Sequence, residues 1–252
     1  MAAAEEIVSF CDELLAVADF DDYCPNGLQV PGAELVERVV TGVSANLELL
    51  QAAVEQRAEL VVVHHGLFWD RGSRALTPAL AERLRIVLEH RISVCGYHLP
   101  LDAHAEIGNN ALLCDGLGLE PGGRFAEIGG NAIGVIGLAA DPISPGELAV
   151  RVGKLTGRDP LAFEEGPAEV RSVGIVSGAA ASSLEQAAAL GLDAMITGEP
   201  NEPARATARE SGIHFIAAGH HATETFGVRR LGELIAQKHA IVHNFIDIPN
   251  PI

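Results

Sequence analysis

The chain has 252 residues, with 34 acidic side chains against 17 basic ones, a formal net charge of −17, and 48% apolar residues. That apolar supply excludes disorder as a general description, because a disordered chain cannot bury enough apolar surface to offset its conformational entropy. The charge argues against generic nucleic-acid binding, which depends on cations that neutralise phosphates. The length fits one large domain or two small ones.

Short β-branched runs alternate with Ala/Leu/Glu-rich stretches, the pattern of an α/β fold. In chain order, the pattern predicts a helix over 5–18, a strand over 38–44, a helix over 47–57 and a buried strand over 60–63. A helix over 79–90 follows, with Pro78 in its first turn and Thr77 as N-cap, then a strand over 92–97. Pro100 makes the next segment extended or turn-like, and a helix is predicted over 107–117. Pro121, Gly122 and Gly123 read as loop breakers over 120–124, the best candidate for a domain boundary. Beyond it come strands over 132–138, 161–164, 170–176, 194–197, 214–218 and 240–248. Helices over 145–156, 182–190, 202–211 and 223–238 are placed among them.

The start MAAAEEIVSF has no basic region, and two Glu stand where a signal peptide needs apolar residues. No apolar run approaches the roughly 18 residues of a membrane span. A cytoplasmic protein without membrane association is expected. Cys11, Cys24, Cys95 and Cys114 form no C-x-x-C pair, so reduced, half-buried thiols are expected rather than disulfides or a zinc knuckle.

Three clusters carry chemistry. His64 and His65 end the run LVVV, and sites in open α/β sheets gather beyond the carboxyl ends of strands. Two adjacent His leaving a strand there can turn to different sides. In YHLPLDAH (97–104), His98 ends a strand and Asp102 follows in a turn. Asp is also a routine turn and N-cap residue, and His104 reads as a solvated helix-start position. In GHHATE (219–224), Gly219 permits a tight turn, and a helix starting near His221 puts His220 and Glu224 close to i, i+4 spacing on one face. Glu224 could equally complement a helix N-terminus. Together these ends give His64, His65, Asp102, His220 and Glu224, a mixed N/O set sufficient for two ions if one carboxylate bridges them. GGNAIGVIG (129–137) is no phosphate loop, because it lacks the G-K-[ST] ending. Ser177-Gly178 reads as a plain turn. His90, His239 and His243 read as structural, and the pair Arg229-Arg230 as a solvated helix face.

Six motifs, DYCPNGLQVPG (22–32), VVHHGLFWD (62–70), YHLPLDAH, IGNNALL (107–113), TGE (197–199) and GHHATETFGVRRL (219–231), appear in an order that resembles the YbgI-like family. Its members are known as GTP cyclohydrolase I type 2 homologues and as dinuclear metal centre hexameric proteins. The resemblance implies two interlinked α/β domains with mixed sheets flanked by helices, one over 1–122 plus 218–252 and the other over 124–217. It also implies a toroidal homohexamer with two divalent ions per subunit facing the ring interior. Carried over by motif, the metal ligands fall on His64, His65, Asp102, His220 and Glu224, and His98 takes either a proton-transfer role near them or a supporting role behind the ligands. Asn26 and Glu199 match motif positions without a derivable role. Where relatives often have Lys after the Trp, Asp70 and Arg71 follow Trp69; if that Lys touches substrate phosphate, Arg71 must replace it or the substrate differs.

The resulting expectation is a metal-dependent hydrolase acting on a nucleotide or related phosphorylated compound. A metal-delivery protein without turnover uses the same ligands, and a ring-shaped interaction scaffold is the third reading. Mixed N/O ligation admits Zn, Mn, Fe, Co or Ni.

Overall fold

A computed structural model of the chain describes residues 1–70, 72 and 75–252. Arg71 lies outside the described residues. The elements in chain order are β1 (Ala2–Ala3), α1 (Ala4–Leu14), β2 (Gly27–Val30), β3 (Leu35–Val36), β4 (Arg38–Ser44), α2 (Leu47–Glu55), β5 (Leu60–His65), α3 (Pro78–Glu89), β6 (Ser93–Gly96), α4 (Leu99–Ala103) and α5 (Asn109–Gly116). They continue as β7 (Glu120–Ile128), β8 (Asn131–Ile143), α6 (Pro145–Thr156), β9 (Leu161–Phe163), β10 (Val170–Val176), α7 (Leu184–Ala189), β11 (Ala194–Thr197), α8 (Ala204–Ser211), β12 (His214–Ala217), α9 (His220–Thr223), α10 (Thr225–His239) and β13 (Val242–Phe245). The fold is mixed α/β, as the alternating pattern predicts. Among the described residues no helix is long and apolar enough to cross a membrane.

The chain forms two compact units, Met1–Leu101 with Gly227–Ile248, and Asp102–Phe226 with Pro249–Ile252. In the first, a five-stranded sheet has the order β13-β4-β5-β6-β2. Its first four strands are parallel and β2 closes the edge antiparallel to β6. Val61, Val63, Val40 and Val94 pack with Leu49, Leu50 and Val87 from α2 and α3 into its core. Both helices begin on side-chain caps. The Leu49 N–H donates to Asn46 Oδ1 at 2.8 Å, and the Leu80 N–H donates to Thr77 Oγ1 at 3.2 Å.

The second unit holds a six-stranded sheet, β7-β8-β10-β11-β12-β9, with β10, β11 and β12 parallel. Its strands bury both faces. Ala194, Ile196 and Ile216 face one cluster with Leu113, Leu148 and Val152 from α5 and α6. Met195 and Phe215 face another with Leu184 and Ala208 from α7 and α8. This adjacent-residue split is the period of two of a strand, and strands buried on both faces read as continuous apolar runs.

Four local expectations are corrected. Residues 120–124 are the start of β7, not a loop: Pro121 is tolerated because β7 lies at the sheet edge, and a bulge between Pro121 and Gly123 absorbs the irregularity. Pro100 sits in the first turn of α4, where a missing N–H costs no helical bond, so that segment is helical rather than extended. β5 runs through His64 and His65 instead of stopping at Val63, since Ser44 pairs with His65 in register. The last strand is confined to Val242–Phe245.

All four cysteines are free, and they are buried rather than half-buried. Burial pushes the Cys11 thiol up to about 12 and those of Cys24 and Cys114 up to about 11. Cys95 is raised well above the ordinary thiol value for the same reason. A thiol reagent at pH 8 is therefore expected to label none of them in the folded protein and all four after denaturation. Rapid labelling of the native chain would contradict this.

Candidate metal centre

In the first unit the chemistry lies at the carboxyl ends of parallel strands. β5 ends in His64-His65, and β6 runs into Tyr97-His98. His64 is fully buried, and its Nδ1 lies 2.9 Å from the Tyr97 carbonyl oxygen. A carbonyl only accepts, so Nδ1 carries a proton, and in the neutral imidazole the lone pair is on Nε2. His65 Nδ1 lies 3.0 Å from Ser44 Oγ. One ligand atom from each of His64, His65 and His98 lies within 4.8 Å of the others.

His98 has an anchor that sequence reading missed. Its Nδ1 donates to Asp22 Oδ1 at 3.0 Å, so in the neutral imidazole the lone pair is on Nε2. Asp22 is nearly saturated. Its Oδ2 accepts from Asn26 Nδ2 at 2.9 Å and from the Leu99 N–H at 2.9 Å, and its Oδ1 also accepts from the Cys24 N–H. Burial works to raise its pKa, but the His98 hydrogen bond and charge, with the Asn26 and Leu99 donors, hold it below the usual carboxylate value. Asn26 closes the circuit by accepting the His98 N–H at 2.7 Å. The signal available in the sequence was the Asp-x-x-x-Asn spacing within DYCPN.

A second frame holds this loop. Gln29 Oε1 accepts the Leu67 N–H at 2.7 Å, and Gln29 Nε2 donates to the Pro25 carbonyl at 2.7 Å. A Cβ on Gly66 would strike the Gln29 amide, so the glycine permits that approach. Tyr23 and Trp69 lie beside the imidazoles, with Trp69 5.8 Å from His65 and 5.3 Å from His98 between ring centroids.

In the second unit the turns after three adjacent parallel strands carry the polar groups. Ser177-Gly178 follows β10, Gly198-Glu199 follows β11, and Gly219-His220 follows β12. Gly219 adopts φ +97°, and α9 starts immediately at His220. His220 Nε2 and Glu224 Oε2 are 3.1 Å apart at i, i+4, so the expected spacing on one face is realised. His220 Nδ1 is hydrogen-bonded to Glu199 Oε1. Burial alone would lower the His220 pKa, but hydrogen bonds and charge from Glu224 and Glu199 outweigh it and push it up to about 9. His220 Nε2 thus carries a proton beside the Glu224 carboxylate.

Asp102 is buried, and its Oδ1 accepts from Asn109 Nδ2 at 2.8 Å and from Ser177 Oγ at 3.0 Å. Ser177 is thus more than a turn residue. Asn110 supports it, with Oδ1 accepting the Ser177 N–H at 2.7 Å and Nδ2 donating to the Ile133 carbonyl at 3.0 Å. These contacts explain the NN pair of IGNNALL. Hydrogen bonds of this kind orient a ligating carboxylate from behind. His104 plays a local part, its Nδ1 accepting from the Glu106 and Ile107 N–H groups. His243 Nε2 lies 2.8 Å from Thr41 Oγ1, which fits the structural reading of that residue.

The fold and these strand-end polar networks define an α/β protein with imidazole and carboxylate groups suited to divalent cations. Residues 2–251 match the Duf34/NIF3 (NGG1p interacting factor 3) family, and the chain belongs to it. The GTP cyclohydrolase 1 type 2 homolog of Pseudomonas aeruginosa is 44% identical over 249 residues, covering 99% of this chain and 98% of the relative. That of Vibrio cholerae is 39% identical over 249 residues, covering 98% of each. The solved structure of protein ybgI, described as of unknown function, has a TM-score of 0.95 at 41% identity and covers 100% of both chains.

Proposed function

We propose that His64, His65, Asp102, His220 and Glu224 hold two divalent ions per subunit, and that the protein is a metal-dependent hydrolase of a nucleotide or related phosphorylated compound. The observation that carries this reading is the group of His64, His65 and His98, in which the Tyr97 carbonyl and the Asp22 carboxylate fix the Nδ1 protons of His64 and His98. In the neutral imidazoles these contacts put the lone pair on Nε2, the form in which His64 can ligate an ion and His98 can accept a proton. The donor set fits the ions: imidazoles and carboxylates with no thiolate suit Zn, Mn, Fe, Co or Ni, and an ion would displace the proton held by His220. Ions bound there would supply Lewis-acid polarisation of a phosphoryl or carbonyl oxygen and a lowered pKa for water.

The side chains do the rest. His98, backed by Asp22, accepts and returns a proton at Nε2. Asp102 is held in orientation by Asn109 and Ser177, and His220 by Glu199. The names of the curated relatives support purine nucleotides as first substrates to try. A cytoplasmic, toroidal homohexamer is part of the same proposal.

The test incubates metal-loaded protein with GTP and a panel of nucleotides and phosphate esters. Turnover is expected, and it should vanish in a His65→Ala, Glu224→Ala double variant. Undiminished turnover in that variant would remove these residues from the mechanism. Metal transfer to an apo-acceptor with no hydrolysis across the panel would replace the enzyme with a delivery protein.

A further inference from the structure

We infer that Tyr23 and Trp69 form a stacking platform that recognises the planar heteroaromatic base of a nucleotide beside His65 and His98; this rests on the hydrolase reading of the same site. The chain is poor in aromatic residues, with eight Phe, two Tyr and a single Trp. Its two tyrosines behave oppositely. Tyr97 is fully buried and donates its hydroxyl to Asp12 at 2.9 Å, as a core tyrosine should. Tyr23 is 46% exposed, although it sits against the histidine group with its ring centroid 5.0 Å from His98. Trp69 is also partly exposed.

The two rings are tied into one surface. Their centroids are 5.9 Å apart with planes 33° from parallel, and the Asp70 N–H donates to the Tyr23 carbonyl at 2.9 Å. The Gln29 bridge between the CPNG and GLFW segments holds both supporting loops. A base inserted between two rings needs roughly 7 Å, twice an aromatic contact of about 3.5 Å. The observed spacing is too small, so the base lies on the outer surface of the pair. Tyr23 and Trp69 meet His98 at 69° and 79°, which braces the rings against the imidazole without stacking them on it. Stacking accepts any base, since every base has a π-face, and each stacked base contributes about 1–3 kcal/mol. The platform therefore selects for an aromatic ring and holds it beside the His65 and His98 imidazoles.

Because Trp69 is the only tryptophan, its fluorescence reports on this surface alone. The experiment titrates zinc-loaded full-length protein with guanosine 5′-monophosphate and, separately, with ribose 5-phosphate. Zinc content is measured on the same samples. Saturable quenching by the nucleotide and none by the sugar phosphate is expected. Tyr23→Ala should weaken nucleotide binding by about 5- to 150-fold, the equivalent of one stacked base, and Tyr23→Phe should restore it. Equal quenching by both ligands, or unchanged affinity in Tyr23→Ala, would overturn the platform. Bound zinc without quenching overturns the platform and leaves the metal reading standing. Quenching without bound zinc supports the platform and removes the metal reading.

Discussion

Replacing Asp22 with asparagine is expected to cut turnover by about 10²–10⁴-fold, the range of a lost general base, while the metal content stays at the wild-type level. Asp22 is proposed to touch no ion. It accepts four donors: His98 Nδ1, Asn26 Nδ2 and the N–H groups of Leu99 and Cys24. An amide in its place offers one accepting oxygen and an NH2 group, and that group faces donors it cannot satisfy. The His98 imidazole is then free to turn or to move its proton to Nε2, where it no longer accepts one. The same change should cost about 1–3 kcal/mol of stability for a buried polar group left unsatisfied. Turnover and unfolding free energy are measured on one preparation with its metal content. Wild-type turnover in Asp22→Asn would show that His98 needs no anchored tautomer.

Gly178→Ala should destabilise the second unit and empty part of the metal centre. Gly178 adopts φ +66°, which costs a residue with a Cβ roughly 1–2 kcal/mol. The new Cβ would also collide with Glu224 Oε1 and press on His220 Nε2 at 3.4 Å. The Gly178 carbonyl meanwhile accepts the N–H groups of Gly198 and Glu199, each at 2.9 Å, and Thr197 Oγ1 at 3.1 Å. A shift of this turn therefore disturbs Glu224, His220 and Glu199 together. The expected result is a melting temperature lowered by a few degrees and fewer bound ions per chain. Wild-type values for both would contradict the proposed role of Glu224.

Much of the fold is legible in the chain. The runs RVVTGVS, VRSVGIV and AMIT are apolar and β-branched, and each forms a strand with the expected bounds. α6 is bracketed by the Ser144 cap and by Gly157 at φ 72°, and both ends fall where the sequence puts them. The His220–Glu224 pairing is legible because a glycine ends a strand and a helix follows at once. β7 is hidden because Pro-Gly-Gly reads as a loop, and β2 because four residues carry little pattern; both are made strands by pairing at a sheet edge.

Asp22 is hidden for a different reason. It reaches a histidine 76 positions away, and what brings them together is the antiparallel docking of β2 on β6, which sets Gly27 opposite Gly96. Ser177 and Asp102 are likewise 75 positions apart. Local pattern fixes which residues end a strand, whereas the network that sets their tautomers is a product of sheet assembly.

The most direct test of the account is elemental analysis of the full chain after loading with zinc or manganese and removal of excess ion. About two ions per chain are expected in the wild type, and fewer in His64→Ala and Glu224→Ala variants that remain folded by circular dichroism. A wild-type chain that retains no ion, or variants that retain as many as the wild type, would contradict it.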